Sequence, residues 1–403
     1  MNKTVTTKSG LPASGLNISA MRASIKSGAR EYGLLISLLC IIAFFQLSTG
    51  GILLEPLNLT NLVLQNSYIV VMALAMLMVI VAGHIDLSVG SVAGFIGALA
   101  ALLMVQHEVS YPAAVVLCIA AGAVIGAIQG YWVAYWNMPS FIVTLAGMLV
   151  FRGLTIMVLE GQSIGPFPEG FVGLSSGFIP DFFASQNLRL TSLMIGVLLG
   201  LAFLIVEIKA RARANTHGIA QGSMLVFVLK NLVLSGLLIY VSYLLATYRG
   251  LPTVLMIMGV LIAVYTFVMN RTVLGRRVYA VGGNVKAARL SGLHTERITF
   301  HTFVNMGMLA ALGGLIFAAR LNSATPKAGT GFELDVIAAC FIGGASASGG
   351  VGKVMGAVIG AFIMGIMNNG MSIMGIGVDY QQVIKGIVLL AAVFVDVYNK
   401  NKG

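Results

Sequence analysis

Runs of about 20 apolar residues, separated by short charged or glycine-rich stretches, recur along the whole chain and constrain it more than any other feature. Candidate spans lie near residues 32–50, 62–82, 88–106, 112–134, 140–159, 190–208, 224–246, 253–270, 299–320, 335–349, 352–376 and 381–397. A helix on the surface of a soluble protein keeps one polar face, and these runs have none. In hydrocarbon each backbone N–H and C=O must find its partner inside the protein, which leaves helices as the natural form for such runs. The expected fold is all-α: a polytopic integral membrane helical bundle of about ten transmembrane helices, within a range of eight to twelve. The range reflects two adjacent pairs with glycine-containing breaks, one at Gly83-His84-Ile85-Asp86-Leu87-Ser88-Val89-Gly90 and one at Gly343 to Lys353, GGASASGGVGK. Each pair is either two full crossings or one discontinuous hairpin, and both choices leave the two termini on the same side.

A net charge of +11 raises the question of a nucleic-acid partner, and the positions of the 24 Lys and Arg answer it. With Met1 inside, 17 fall in segments on the cytoplasmic side and four outside, Arg189, Arg249, Arg320 and Lys327. Arg152, Lys230 and Lys385 lie within candidate spans. This is the positive-inside distribution, so the charge reports topology and no nucleic-acid face is expected. The organisation that follows is a cytoplasmic tail over 1–30, one transmembrane domain over 31–398 that includes a cytoplasmic loop at 271–298, and a cytoplasmic tail over 399–403. The first apolar run has no small-residue cleavage site and reads as a retained anchor. Eight of the 13 acidic residues are expected at the outer face: Glu55, Glu108, Glu160, Glu169, Asp181, Glu333, Asp335 and Asp379. Cys40, Cys118 and Cys340 sit in apolar runs, and an odd number so spaced makes no disulfide framework.

Apparent catalytic motifs dissolve on inspection. GGASASGGVGK lacks the glycine of a phosphate loop at Ala347 and its Ser or Thr at Val354, and no strand precedes it. Gly173-Leu174-Ser175-Ser176-Gly177 matches a nucleophile elbow only in letters, because it lies in a loop between spans. No two of His84, His107, His217, His294 and His301 have the three- or four-residue spacing of helical metal ligands. No catalytic residue, cofactor or metal is expected. Gly122, Gly126 and Gly130 recur at every fourth position, as do Gly352, Gly356 and Gly360, which lets helix backbones approach closely and hints at two related halves.

Polar residues inside the spans are the candidates for a solute path. A carboxylate in the membrane costs about 2.5–3.5 kcal/mol, so Asp86 is a suspect, with Ser88 and Ser91 at the same helix start. Its competing role is to cap that helix. Asn368 and Asn369 could line a path for a hydroxylated solute or hold helices together. Glu333 and Asp335, ahead of the glycine-rich break, are expected to dock an external partner.

Arg276 to Ile298 is the longest internal stretch a membrane would reject. Asn284 can cap a helix start, Val285 to Ser291 can make two turns, and Gly292 can end them in a left-handed conformation. So short a helix is unstable alone and must be held. Such a short helix could enter a groove on a cytoplasmic partner, and in this it resembles the coupling helix of importer permeases driven by a separate ATPase.

Four stretches, AGHIDLSVGSVAG from Ala82, PSFIVTLAGMLVFRGL from Pro139, GRRVYAVGGNVKAARLSGL from Gly275 and ELDVIAACFIGGASASGGVGKVMGAVIGA from Glu333, carry a resemblance over about Tyr32 to Asp396. They look like the membrane permease subunit of bacterial ABC sugar importers of the ribose and xylose type, nearest to xylose and multiple-monosaccharide permeases. The resemblance implies a non-enzymatic subunit in the bacterial inner membrane that forms a homodimeric path for a monosaccharide. It also implies a separate ATP-binding subunit inside and a periplasmic sugar-binding protein outside. In that scheme Gly283, Asn284, Ala287, Ala288, Arg289, Ser291 and Gly292 are the coupling segment. The competing reading, an ion-coupled secondary transporter, needs a paired acid system in the membrane and gives the capped loop helix no task.

Overall fold

The computed structural model describes residues 18–183, 188–217 and 223–401. The ends of both expected tails, 1–17 and 402–403, and the middle of the polar stretch between the halves, 218–222, lie outside the described residues. The chain forms α1 (Ile18–Ser48), α2 (Pro56–Val81), α3 (Val89–Ala101, continued by a π-helical turn over Leu102–Gln106), α4 (Tyr111–Tyr135), α5 (Ser140–Val158), α6 (Glu169–Ser176), α7 (Leu190–Thr216) and α8 (Met224–Ala246). It continues with α9 (Thr253–Arg271), α10 (Val273–Gly283), α11 (Val285–Leu290), α12 (Thr295–Leu321), α13 (Phe332–Ile342), α14 (Val354–Ile373) and α15 (Val378–Asn401). Among the described residues, nine helices are long and apolar enough to cross a membrane. The fold is a polytopic helical membrane bundle.

The two broken pairs differ. In the first, α2 with 26 residues and the α3 region with 18 are both of span length, joined by a non-helical stretch through Asp86. In the second, α13 has only 11 residues, about 16 Å of rise, half of what hydrocarbon requires. The span expected at 335–349 is therefore a half-helix, because the glycines at Gly343 and Gly344 end it early. Phe332, its first residue, stacks on Tyr68 at a centroid distance of 4.4 Å, with Phe317 at 5.1 Å from Tyr68. Tyr68 lies about halfway along α2, so α13 begins in the interior of the bundle.

The core is centred on α2 and α12. Every residue from Ile69 to Val81 is buried, as expected of a helix apolar on all sides and enclosed by protein. Helices α5, α7 and α8 bury only a minor part of their surface.

Glycine sets how closely the central helices meet. A Cβ on Gly122 would stand 2.4 Å from the Gly307 carbonyl oxygen, and one on Gly126 would stand 2.3 Å from that of Phe303, so α4 and α12 touch through backbone. The second glycine series closes a different pair, α13 with α14: a Cβ on Gly356 would be 2.1 Å from Gly343 O, and one on Gly360 would be 2.0 Å from Ala339 O. In lipid, where apolar surfaces gain nothing by leaving the solvent, such van der Waals proximity drives association.

Candidate functional site

At one end of the bundle the loop expected over Arg276 to Ile298 folds into two helices. The first, α10, was not foreseen. The Thr272 hydroxyl accepts the Gly275 N–H at 3.3 Å to start it, and Gly275, Val278 and Val281 are buried while Arg276 and Arg277 are exposed. That three-residue spacing was the available signal, masked by the two adjacent arginines.

The second helix, α11, forms where the capping pattern put it. Asn284 Oδ1 accepts the Ala287 N–H at 3.0 Å, the Ser291 hydroxyl donates to Ala287 O at 2.9 Å, and Gly292 is left-handed with φ +81°. Three devices offset the nucleation cost of six residues. The cap is one. Ala288, buried at 5% exposure, is the second. The third is Arg289, which pairs with Glu296 and donates to the Thr295 hydroxyl at 3.3 Å, tying α11 to the start of α12. The opposite face is open: Val285, Lys286 and Ala287 are exposed, and Leu290 is 90% exposed. An apolar side chain so displayed on a helix anchored from behind is an arrangement suited to docking.

Four of the five solute-path candidates prove to be engaged inside the bundle. Asp86 is 3% exposed, and its Oδ1 accepts both the Ser88 N–H and the Ser88 hydroxyl at 2.7 Å, capping α3. The Ser88 oxygen in turn accepts from Gln129 Nε2 at 2.9 Å. Gln129, alone among the apolar residues of α4, gave no motif by which sequence reasoning could find it. Asn369 exchanges two hydrogen bonds with Asn58 of α2, at 2.9 and 3.1 Å, an amide pair that locks α14 to α2. Asn368 donates to Asp335 Oδ2 at 3.3 Å. Ser91 is buried, and its hydroxyl has no partner among the described residues.

The expectation that Glu333 and Asp335 present charge at the outer surface is corrected. They are 8% and 6% exposed, because α13 starts inside the bundle and not at its rim. Asp335 pairs with Lys385 of α15 at 2.9 Å. Glu333 keeps its Oε2 without a hydrogen-bond partner among the described residues. Its Oε2 also rests against the first turn of α3: a Cβ on Gly90 would be 2.4 Å from it and 2.3 Å from Gly329 O. The starts of α3 and α13 thus abut, with a carboxylate at the junction of their positive ends.

Among the described residues no group of three His, Cys, Asp or Glu could hold a metal ion.

Three of the four stretches singled out in the sequence thus form α10, α11 and the two breaks, and the fourth forms α5. Residues 58–393 match the family described as branched-chain amino acid transport system / permease component. The chain belongs to this permease family. The permease is 38% identical over 394 residues to the xylose transport system permease protein of Escherichia coli (strain K12), covering 98% of this chain and 95% of that one. It is likewise 38% identical over 371 residues to the xylose transport system permease protein of Haemophilus influenzae, covering 92% and 97% of the two chains. To the ribose import permease protein of Escherichia coli (strain K12) it is 34% identical over 380 residues, covering 94% and 97%. No solved structure matches the permease. As a permease component it is a multi-pass membrane subunit and does no covalent chemistry.

Proposed function

We propose that this permease is the transmembrane subunit of a binding-protein-dependent ABC importer that forms the path for a monosaccharide, xylose-like or several sugars. It sits in the bacterial inner membrane with both termini cytoplasmic, and residues 31–398 act as one permease unit. A separate ATP-binding subunit receives α11 in a groove on its cytoplasmic face. A periplasmic sugar-binding protein delivers solute to the opposite face, and a second copy of the permease completes the path as a homodimer. Asn284, Ala287, Ala288, Arg289 and Ser291 shape the coupling segment between Gly283 and Gly292.

The observation that carries this reading is α11 itself, a capped and stapled six-residue helix that displays Val285 and Leu290 at the end of a membrane bundle. The similarity to xylose and ribose permeases supports the solute class. An ion-coupled mechanism finds little support, because Asp86 is occupied as a cap and Asp335 by Lys385. The test is co-purification of the permease with its ATP-binding subunit and stimulation of ATP hydrolysis by loaded binding protein. A permease that retains no ATP-binding subunit would overturn the reading.

A further inference from the structure

The end of α10 is seated in a joint made almost entirely of backbone. A Cβ on Gly282 would stand 1.6 Å from the Val81 carbonyl oxygen and 2.7 Å from Gly350 N. The Gly350 N–H donates to that same Val81 oxygen at 2.8 Å. A Cβ on Gly349 would be 2.9 Å from Gly282 O and 3.0 Å from Gly83 Cα, and Gly349 and Gly350 both hold positive φ, +79° and +73°. From α10, the Tyr279 hydroxyl donates to Gly352 O at 2.6 Å. Three chain segments meet here, largely through backbone: the end of α10, the break after α2 that leads to the α3 cap, and the turn between α13 and α14.

We propose that Tyr279 and Gly282 are the positioning residues that transmit movement of the coupling segment to both discontinuous elements of the permease. The inference rests on the importer reading above and adds the route by which it works. One residue separates Gly282 from the Asn284 cap, so a push on α11 reaches the joint through rigid backbone. Interfaces without side-chain slack shift as units and do not absorb displacement. The movement then divides. Along one branch it passes from Gly83 to the Asp86-capped start of α3, and along the other from Gly349–Gly352 to α13 and α14. The branches meet again where Gly90 abuts Gly329 and Glu333. The Tyr279 side chain reaches across this joint by a hydrogen bond. Burial pushes its hydroxyl above the ordinary tyrosine range, so it stays protonated and able to donate.

The test uses the full complex of permease, ATP-binding subunit and binding protein in liposomes, with labelled xylose as the probe. Tyr279→Phe is expected to lower xylose moved per ATP hydrolysed about fivefold, the factor a single neutral hydrogen bond is worth, while the ATP-binding subunit stays bound. Gly282→Ala should lower it further. Tyr265→Phe, which removes a buried tyrosine hydrogen bond to Asn305 elsewhere, should leave the ratio unchanged. An unaltered ratio in both joint variants overturns the proposal, as does a fall that only tracks loss of the ATP-binding subunit. Hydrogen exchange on the purified permease alone reads the joint independently of transport. Tyr279→Phe should raise exchange about fivefold at both 83–88 and 343–353 and leave α12 unchanged. A rise at one break only, or at neither, also overturns it. A wild-type complex that moves no xylose with ATP, while exchange responds at both breaks, counts against the importer reading and not against the joint.

Discussion

The coupling reading is most exposed at Asn284, whose side-chain oxygen caps α11. Asn284→Ala removes the acceptor that holds the Ala287 N–H at 3.0 Å. Loss of such a cap costs about 1 kcal/mol, about a fivefold change in the population of the helical segment. With six residues, one buried alanine and one arginine staple, α11 has little else to draw on. Asn284→Gly should cost only a few tenths of a kcal/mol, because glycine leaves the helix start solvated. Asn284→Asp keeps the acceptor, and its negative charge, favourable at the start of α11 and unfavourable at the end of α10, largely cancels. Asn284→Pro does most damage: it forces φ from −161° toward −65° and deletes the N–H that donates to Ala280 O at 3.1 Å. The assay is retention of the ATP-binding subunit on tagged permease, with hydrogen exchange over Val285–Leu290 measured in parallel. The expected order is Asp and Gly within about twofold of wild type, Ala about fivefold weaker, and Pro without retention. Retention of the partner by Ala and Pro at wild-type level would refute the reasoning. So would Asp as damaging as Ala, since capping would then not be the cause.

Three further outcomes follow from the geometry. Leu290→Glu, at a side chain 90% exposed, should reduce retention of the ATP-binding subunit with no change in melting temperature, whereas Ala288→Trp should lower the melting temperature because Ala288 is buried; equal melts for the two would contradict this. Asp335→Asn or Lys385→Met alone should destabilise the permease by about 2 kcal/mol, less than a fully buried pair because Lys385 keeps 22% exposure, and the double variant should recover most of it. Thermal melts in detergent check this, and additive losses in the double variant would show that the two charges are independent. Gly126→Ala, whose Cβ would stand 2.3 Å from Phe303 O, should cost about 1–3 kcal/mol, while Gly236→Ala on α8, with nothing within 4 Å, should be neutral; a stable Gly126 variant would mean α4 and α12 are not held by backbone contact.

The spans and the capped helix were legible in the sequence because both are local: hydrophobic length fixes one, and a capping side chain with a glycine stop fixes the other. Depth was not. Glu333 and Asp335 follow a polar stretch and read as rim residues, yet α13 begins inside because Gly329 packs on Gly90, a contact between residues far apart in the chain. Pairings across the bundle were hidden for the same reason. Lys385 finds Asp335, and Gln129 meets Ser88, each on helices whose adjacency no short pattern encodes. Asp86 was weighed as cap and as path, and the hydrogen bonds to Ser88 account for its acceptor oxygen as a cap. The break motifs pointed to discontinuous helices, but only the second yields a half-length one, since residues before Gly83 already complete a full helix.

The most direct measurement is uptake by the purified permease in liposomes, with labelled xylose outside. Xylose is expected to enter only when the ATP-binding subunit, ATP and a loaded binding protein are all present, and a proton or sodium gradient alone is expected to move nothing. Uptake driven by either gradient, without the ATP-binding subunit and the binding protein, would contradict it.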